Sequence, residues 1–237
     1  MKLNGIKLTW LGHATFLIET PGGKKVIIDP WVTDNPAKPA NWKGFDRIDV
    51  MLCTHGHSDH VGDAVDLAMK HNSTVVAIYD LCLLLQKKGA KQIAPMNKGG
   101  SQKVGDIKVT MVNAFHSSGF EDGESLVYAG DPAGYVIEFE NGIKIYHAGD
   151  TCVFGDMAII HDLYQPDIAM LPVGDRFTMG PKEATYACRL LKPEAVIPMH
   201  FGTFPMLTGT SEEFGRELKA AGLNVELVTM KPGETIS

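Results

Sequence analysis

Apolar and polar residues alternate with a period of two at the start of the chain, over 6–11 and 14–19, and a third apolar run, Val26-Ile27-Ile28, ends in Asp29-Pro30. With the turn Pro21-Gly22-Gly23 between the second and third runs, this pattern predicts an antiparallel opening. Residues 31–47 have no steady period and carry Pro36, Pro39, Trp31 and Trp42, which predicts a long loop. The pattern then switches to strand and helix in turn: a buried strand at 50–53, a helix at 63–71, a strand at 74–78 and a helix at 81–88 closed by Gly89. From Lys103 strands return, notably 107–113. The runs 135–139 and 143–146 flank Glu140-Asn141-Gly142, a hairpin signal. The last third predicts a helix near 153–163, a strand at 168–171, a helix at 182–191, a strand at 195–198, a helix at 211–221 and a strand at 225–228. Ser211 is the expected N-cap of the last helix, with Glu212 and Glu213 in its first turn.

Divided near residue 125, the chain falls into two halves, 1–125 and 126–237, each with several strands followed by strand and helix alternation. This predicts one α/β sandwich domain over 1–237, although no repeat is visible in the residues themselves. A chain of 237 residues, 44% hydrophobic and 21% charged, can bury a sizeable core and has no low-complexity tract. Its net charge of -6, without a Lys/Arg run, argues against nucleic acid as a partner. No apolar stretch is long enough for a signal peptide or a membrane span, so a soluble cytoplasmic protein without a membrane partner is expected. Cys53, Cys82, Cys152 and Cys188 are too scattered for a disulfide framework, and Cys152 is expected as a small buried thiol.

The chemistry concentrates in Thr54-His55-Gly56-His57-Ser58-Asp59-His60, directly after the 50–53 strand. Imidazole nitrogen and carboxylate oxygen suit zinc, manganese or iron, and so many donors in one loop favour a metal entropically. His116, Asp150 and His200 also follow predicted strands. Strand ends at one edge of layered α/β sheets meet in one cleft, where residues distant in sequence converge. His55, His57, Asp59, His60, His116, Asp150 and His200 are too many donors for one tetrahedral ion but suit two ions sharing a carboxylate.

On these residues the chain resembles the metallo-β-lactamase superfamily, whose signature is H-x-H-x-D-H followed by a lone His, a bridging Asp and a final His. Leu11-Gly12-His13-Ala14-Thr15, Ile28-Asp29-Pro30-Trp31, Tyr146-His147-Ala148-Gly149-Asp150-Thr151 and Phe177-Thr178-Met179-Gly180-Pro181 look like its small single-domain members similar to the ascorbate-6-phosphate lactonases. The resemblance implies a four-layered αβ/βα sandwich, two mixed sheets flanked by helices. It implies one metal at His55, His57 and His116, a second at Asp59, His60 and His200, Asp150 between them, and Asp29 supporting the site from behind.

The expected reaction is hydrolysis by a hydroxide of this dinuclear site, with zinc the first metal and manganese or iron the alternatives. Asp59 would orient the nucleophile, and His13 is the spare group for a general acid or a substrate contact. The expected substrate is a small anionic ester, a lactone first. The alternatives are a phosphodiester of nucleotide or phospholipid type and a metal-dependent binding protein without turnover. Arg176 would grip a phosphate or carboxylate, and Trp31, Phe177 and Thr203 would line the cleft. His147 is expected to support or pack. The apolar positions of 31–47 are expected to serve either a homo-oligomer contact or a lid.

Overall fold

The β-branched and aliphatic runs pair where a turn residue lets the chain reverse. In this computed structural model, which describes all 237 residues, β1 (Lys7–Trp10), β2 (Phe16–Glu19) and β3 (Lys25–Ile28) form an antiparallel meander, and β4 (Val50–Leu52) joins parallel to β3. A short turn of helix, α1 (Ser58–Val61), and α2 (Ala64–His71) lead to β5 (Thr74–Ile78). Then α3 (Tyr79–Lys88), ended by Gly89 at φ 127, leads to β6 (Gln92–Met96).

The second sheet begins with β7 (Ser101–Val104) and β8 (Ile107–Asn113). A separate hairpin of β9 (Gly119–Asp122) and β10 (Ser125–Tyr128) projects before β11 (Ala133–Glu138) and β12 (Lys144–His147). The sheet is completed through α4 (Met157–Tyr164), β13 (Ile168–Pro172), α5 (Pro181–Leu191), β14 (Ala195–Met199), α6 (Ser211–Ala220) and β15 (Glu226–Leu227). The terminal β16 (Thr235–Ile236) crosses back to pair with β1.

Two seven-stranded sheets result, in the orders β16-β1-β2-β3-β4-β5-β6 and β15-β14-β13-β12-β11-β8-β7. Each runs from an antiparallel side to a parallel side, and helices flank the pair. Every residue of β4, β13 and β14 is buried, as expected for strands covered on both faces. One apolar core joins the sheets. Tyr135 of the second sheet donates from its hydroxyl to the carbonyl of Cys53 in the first at 2.7 Å, and Ala133 N donates to Thr54 O at 3.0 Å. The loop after β4 is thereby pinned from both sheets.

The division between the sheets falls before β7 rather than near residue 125, because β8 pairs with β11 and belongs to the second sheet. The N-cap of α6 is Thr210, whose side chain accepts from Glu213 N at 3.1 Å, one residue before the expected Ser211. Residues 31–47 contain no helix or strand. No helix is long and apolar enough to cross a membrane.

Candidate metal centre

β1, β3, β4, β8, β12 and β14 all run in the sense that puts their C-terminal ends at one edge, and each delivers a polar residue there: His13, Asp29, the His55–His60 loop, His116, Asp150 and His200. Two glycines permit the approach. A Cβ on Gly12, at φ 93, would lie 2.6 Å from Ala37 O, and one on Gly149, at φ 62, would lie 2.9 Å from the Cβ of Thr54. Larger residues there would push His13 or Asp150 out of place.

Asp29 organises the loop after β4. Its Oδ1 accepts from Thr54 N at 2.8 Å, and its Oδ2 accepts from the Thr54 hydroxyl at 2.7 Å and from His60 Nδ1 at 2.8 Å. With the hydroxyl hydrogen committed to Asp29, the Thr54 oxygen accepts from His55 Nδ1 at 3.0 Å. In their neutral form both histidines therefore keep their hydrogen on Nδ1 and turn the Nε2 lone pair into the cleft. Orientation through the far ring nitrogen is how proteins prepare imidazole for a metal.

The donors meet in overlapping groups: His55, His57 and His116; His55, His60 and Asp150; and His13, Asp59, His60 and His200, each with ligand atoms within 4.8 Å of one another. His55 Nε2 and His57 Nδ1 are 3.0 Å apart. Asp150 Oδ2 lies 3.0 Å from His200 Nε2, 3.4 Å from His60 Nε2 and 3.6 Å from His116 Nε2. Asp59 Oδ2 is 3.9 Å from the Nε2 atoms of both His60 and His200. Donors about 2.0–2.2 Å from a tetrahedral ion stand about 3.3–3.6 Å from one another. His60 Nε2, His200 Nε2 and Asp150 Oδ1 are buried with no hydrogen-bond partner. Buried polar atoms are seldom left so, and the donor set fits divalent ions.

Charge points the same way. Burial would lower the pKa of His60, but Asp150, Asp59 and Asp29 override it and hold the ring well above its ordinary value. Burial would raise Asp150 and Asp59. His200 and His60 keep Asp150 well below the usual carboxylate range, and His60 with the hydrogen bond from His13 does the same for Asp59. This cluster of carboxylates calls for a cation beside it. Burial lowers His55 far below its ordinary value, lowers His57 and His116, and brings His13 to about 4, so these rings are neutral at pH 7.

The residues expected to touch substrate divide. Trp31 is 8% exposed and sits edge-on to His13 at 5.2 Å, with Phe204 6.0 Å away. Thr203 is buried and bound to His13 Nδ1 at 2.8 Å. Arg176 and Phe177 are exposed on the loop after β13, the guanidinium 5.5 Å over the Phe177 ring. Cys152 is exposed rather than buried, because Cys152 N and O are held by the backbone of Phe115 and the hydroxyl of Thr151 while its side chain faces solvent. All the cysteines are free. Sequence reasoning missed Thr54 as the link to His55; its place directly before the motif was the available signal. It missed as well how His147 works: the buried ring donates to Ala14 O and accepts from Gly149 N, both at 3.2 Å, bracing the turn before Asp150 against the His13 loop.

An imidazole and carboxylate cluster at one edge of an αβ/βα sandwich defines a metal-dependent hydrolase of the metallo-β-lactamase type. Residues 7–200 match the model of the beta-lactamase superfamily domain, and the chain belongs to that family. It is 55% identical to a UPF0173 metal-dependent hydrolase of Koribacter versatilis over 237 residues, 100% of each chain. It is 51% identical to a protein of the same description from Rubrobacter xylanophilus, covering 99% of this chain and 97% of that one. Among solved structures, a metallo hydrolase from the hyperthermophilic archaeon Ignicoccus hospitalis superposes with a TM-score of 0.86 at 34% identity, over 98% of this chain and 97% of that one.

Proposed function

We propose that this hydrolase opens small anionic esters, lactones first, with two divalent ions held by His55, His57 and His116 on one side and Asp59, His60 and His200 on the other, Asp150 lying between. The observation that carries the reading is the convergence of His60 Nε2 and His200 Nε2 on Asp150 Oδ2, at 3.4 and 3.0 Å, with both nitrogens buried and neither directed to make a hydrogen bond there. When bound, the ions supply Lewis acidity and a water that ionises near neutral pH. An all-nitrogen and oxygen donor set is compatible with zinc, manganese or iron, zinc being the first expectation.

The chain's own groups do the rest. Asp59, the most exposed carboxylate of the cluster with 28% of its side chain accessible, accepts a hydrogen bond from the attacking water and holds its direction. Asp29, through His60 and through Thr54 to His55, keeps the donors from turning. The walls formed by Trp31 and Phe204 exclude water from the side of His13. Arg176, exposed with its guanidinium over the Phe177 ring, stands available for the substrate's anionic group. The resemblance to ascorbate-6-phosphate lactonases favours a lactone.

Metal analysis of the purified protein, with a panel of lactones, phosphodiesters and thioesters, tests this. Two equivalents of metal and lactone turnover that Asp59→Ala lowers at least about 1000-fold are expected. Turnover confined to phosphodiesters would replace the substrate class, and undiminished turnover by Asp59→Ala would remove the assigned role of that carboxylate.

A further inference from the structure

Asp59 receives one hydrogen bond from the chain, and His13 gives it: Nε2 lies 3.0 Å from Asp59 Oδ2. Everything about His13 is fixed. The residue is completely buried at φ 54, and its carbonyl accepts from His200 N and from the Trp10 indole, each at 3.0 Å. Its backbone is thus tied to the strand end that delivers His200. The ring lies 3.8 Å from the His200 ring, with Trp31 and Phe204 edge-on at 5.2 and 5.8 Å. Nδ1 is 2.8 Å from the Thr203 hydroxyl.

These contacts determine where the hydrogens sit. An ionised carboxylate only accepts, so Nε2 carries the ring hydrogen and Nδ1 keeps the lone pair. Thr203 then donates to Nδ1. A ring with its one hydrogen on Asp59 has none to offer a leaving group, and an Nε2 that carries hydrogen has no lone pair for a metal.

We propose that His13 is a positioning residue for Asp59, locked by Thr203, so that the chain Thr203 Oγ1–H to Nδ1 and Nε2–H to Asp59 Oδ2 stops the carboxylate from rotating. It takes the place of the general-acid role expected for His13, and it rests on the reading of Asp59 as a metal donor that directs the attacking water. Remote as they are in sequence, Thr203 and His13 set the direction of that carboxylate together. Asp59 decides that Nε2 carries the hydrogen, and the Thr203 hydroxyl, by donating to Nδ1, holds the ring in that tautomer and orientation.

The deciding readout, metal binding, needs no substrate. Cobalt(II) is titrated into the metal-stripped protein, its visible absorption spectrum recorded, and kcat and KM measured afterwards on whichever lactone is turned over. His13→Leu is expected to bind two equivalents with an altered spectrum, the weaker equivalent losing about 10- to 100-fold in affinity, and to lose kcat with KM little changed. His13→Gln, whose amide nitrogen takes the place of Nε2–H, should restore the spectrum. Thr203→Val should show a smaller version of the His13→Leu change, and Thr203→Ser should not. Failure of His13→Gln to restore the spectrum, or outright loss of one equivalent in it, overturns the inference by making His13 a ligand. A wild-type spectrum in Thr203→Val overturns it as well. If His13→Leu does not fold, the two Thr203 variants decide alone. A wild-type spectrum in Asp59→Ala removes the reading of Asp59 and the inference with it. An altered spectrum there, beside an unaltered one in His13→Leu, removes the inference only.

Discussion

Within the donor groups of His55, His57 and His116 and of Asp59, His60 and His200, the imidazoles stand at two depths. His57 and His116 are part-exposed, and the far nitrogen of His57 meets only the Ser117 hydroxyl, at 3.2 Å on the solvent side. His60 and His200 are 0% and 2% exposed. Behind His60 stands Asp29, behind Asp59 stands His13, and the His200 ring packs at a 45° tilt 3.8 Å from the His13 ring, its Nδ1 making no hydrogen bond. His57 and His116 form a rim that opens on solvent, while His55, His60 and His200 belong to the buried floor, and Asp59, with 28% of its side chain accessible, reaches from that floor to the opening.

The largest effect should come from the residue that reaches both groups. Asp29→Ala removes the acceptor of Thr54 N, Thr54 Oγ1 and His60 Nδ1, all buried. Unpaired buried donors cost about 1–3 kcal/mol each, so a loss of about 3 kcal/mol or more in unfolding free energy is expected, with metal affinity down about 10- to 100-fold at both positions. Ser117→Ala, touching only the rim, should change affinity less than about 10-fold. Urea unfolding of the metal-stripped proteins and metal titration measure the two. Equal effects would erase the distinction between rim and floor. Thr54→Val divides the floor, since that change should weaken the His55 side while leaving the bond from His60 to Asp29.

How much of this was legible in the residues follows from where local chemistry decides structure. The Asn141-Gly142 hairpin, the Gly89 stop and the buried run of β4 are local signals, and each lies close to where it was expected. β6 was hidden by Pro95, which a sheet tolerates here because β6 is an edge strand. The β9 and β10 hairpin was hidden because Leu126 and Tyr128 are exposed, so its pairing follows no buried face. The donors could be listed because histidine and aspartate advertise themselves at strand ends. The contacts that orient them could not, since His13 meets Asp59 across 46 positions and Thr203 across 190, and hydroxyls leave no such mark.

His60 and the other imidazoles should also separate under acid. In the metal-free protein, burial keeps His13 at about 4 and lowers His55, His57, His116 and His147, whereas Asp150, Asp59 and Asp29 raise His60 against its burial. A lowered histidine takes up its proton more readily when unfolded, so its contribution to stability is present above pH 6.5 and is lost as pH falls towards the folded value. His60 works the other way: its contribution is full below pH 6.5 and is lost only as pH rises through its raised folded value. His13 alone accounts for on the order of 2–3 kcal/mol between pH 6.5 and 4, and His55, His57, His116 and His147 act in the same direction. Urea midpoints of the metal-stripped protein should therefore fall between pH 7.5 and pH 5. A midpoint that rises on acidification would mean that His60 and its carboxylates dominate the balance.

The smallest effect should be at the rim's outer edge. Arg176 has φ 59 and follows Asp175 at φ 66, with Arg176 N donating to Asp175 Oδ1 at 2.7 Å. Left-handed backbone strains any residue with a Cβ, arginine and alanine alike. Arg176→Ala therefore leaves the turn as strained as before and removes only the guanidinium, whereas Arg176→Gly would relax the turn as well. An exposed cation contributes about 1 kcal/mol or less to holding an anion, so KM for an anionic lactone should rise about 3- to 5-fold with kcat unchanged, the sign of binding lost equally from ground and transition states. A neutral lactone of the same ring size should show no change. Equal losses on both would mean that Arg176 acts through the loop and Phe177, leaving charge recognition to residues nearer the floor.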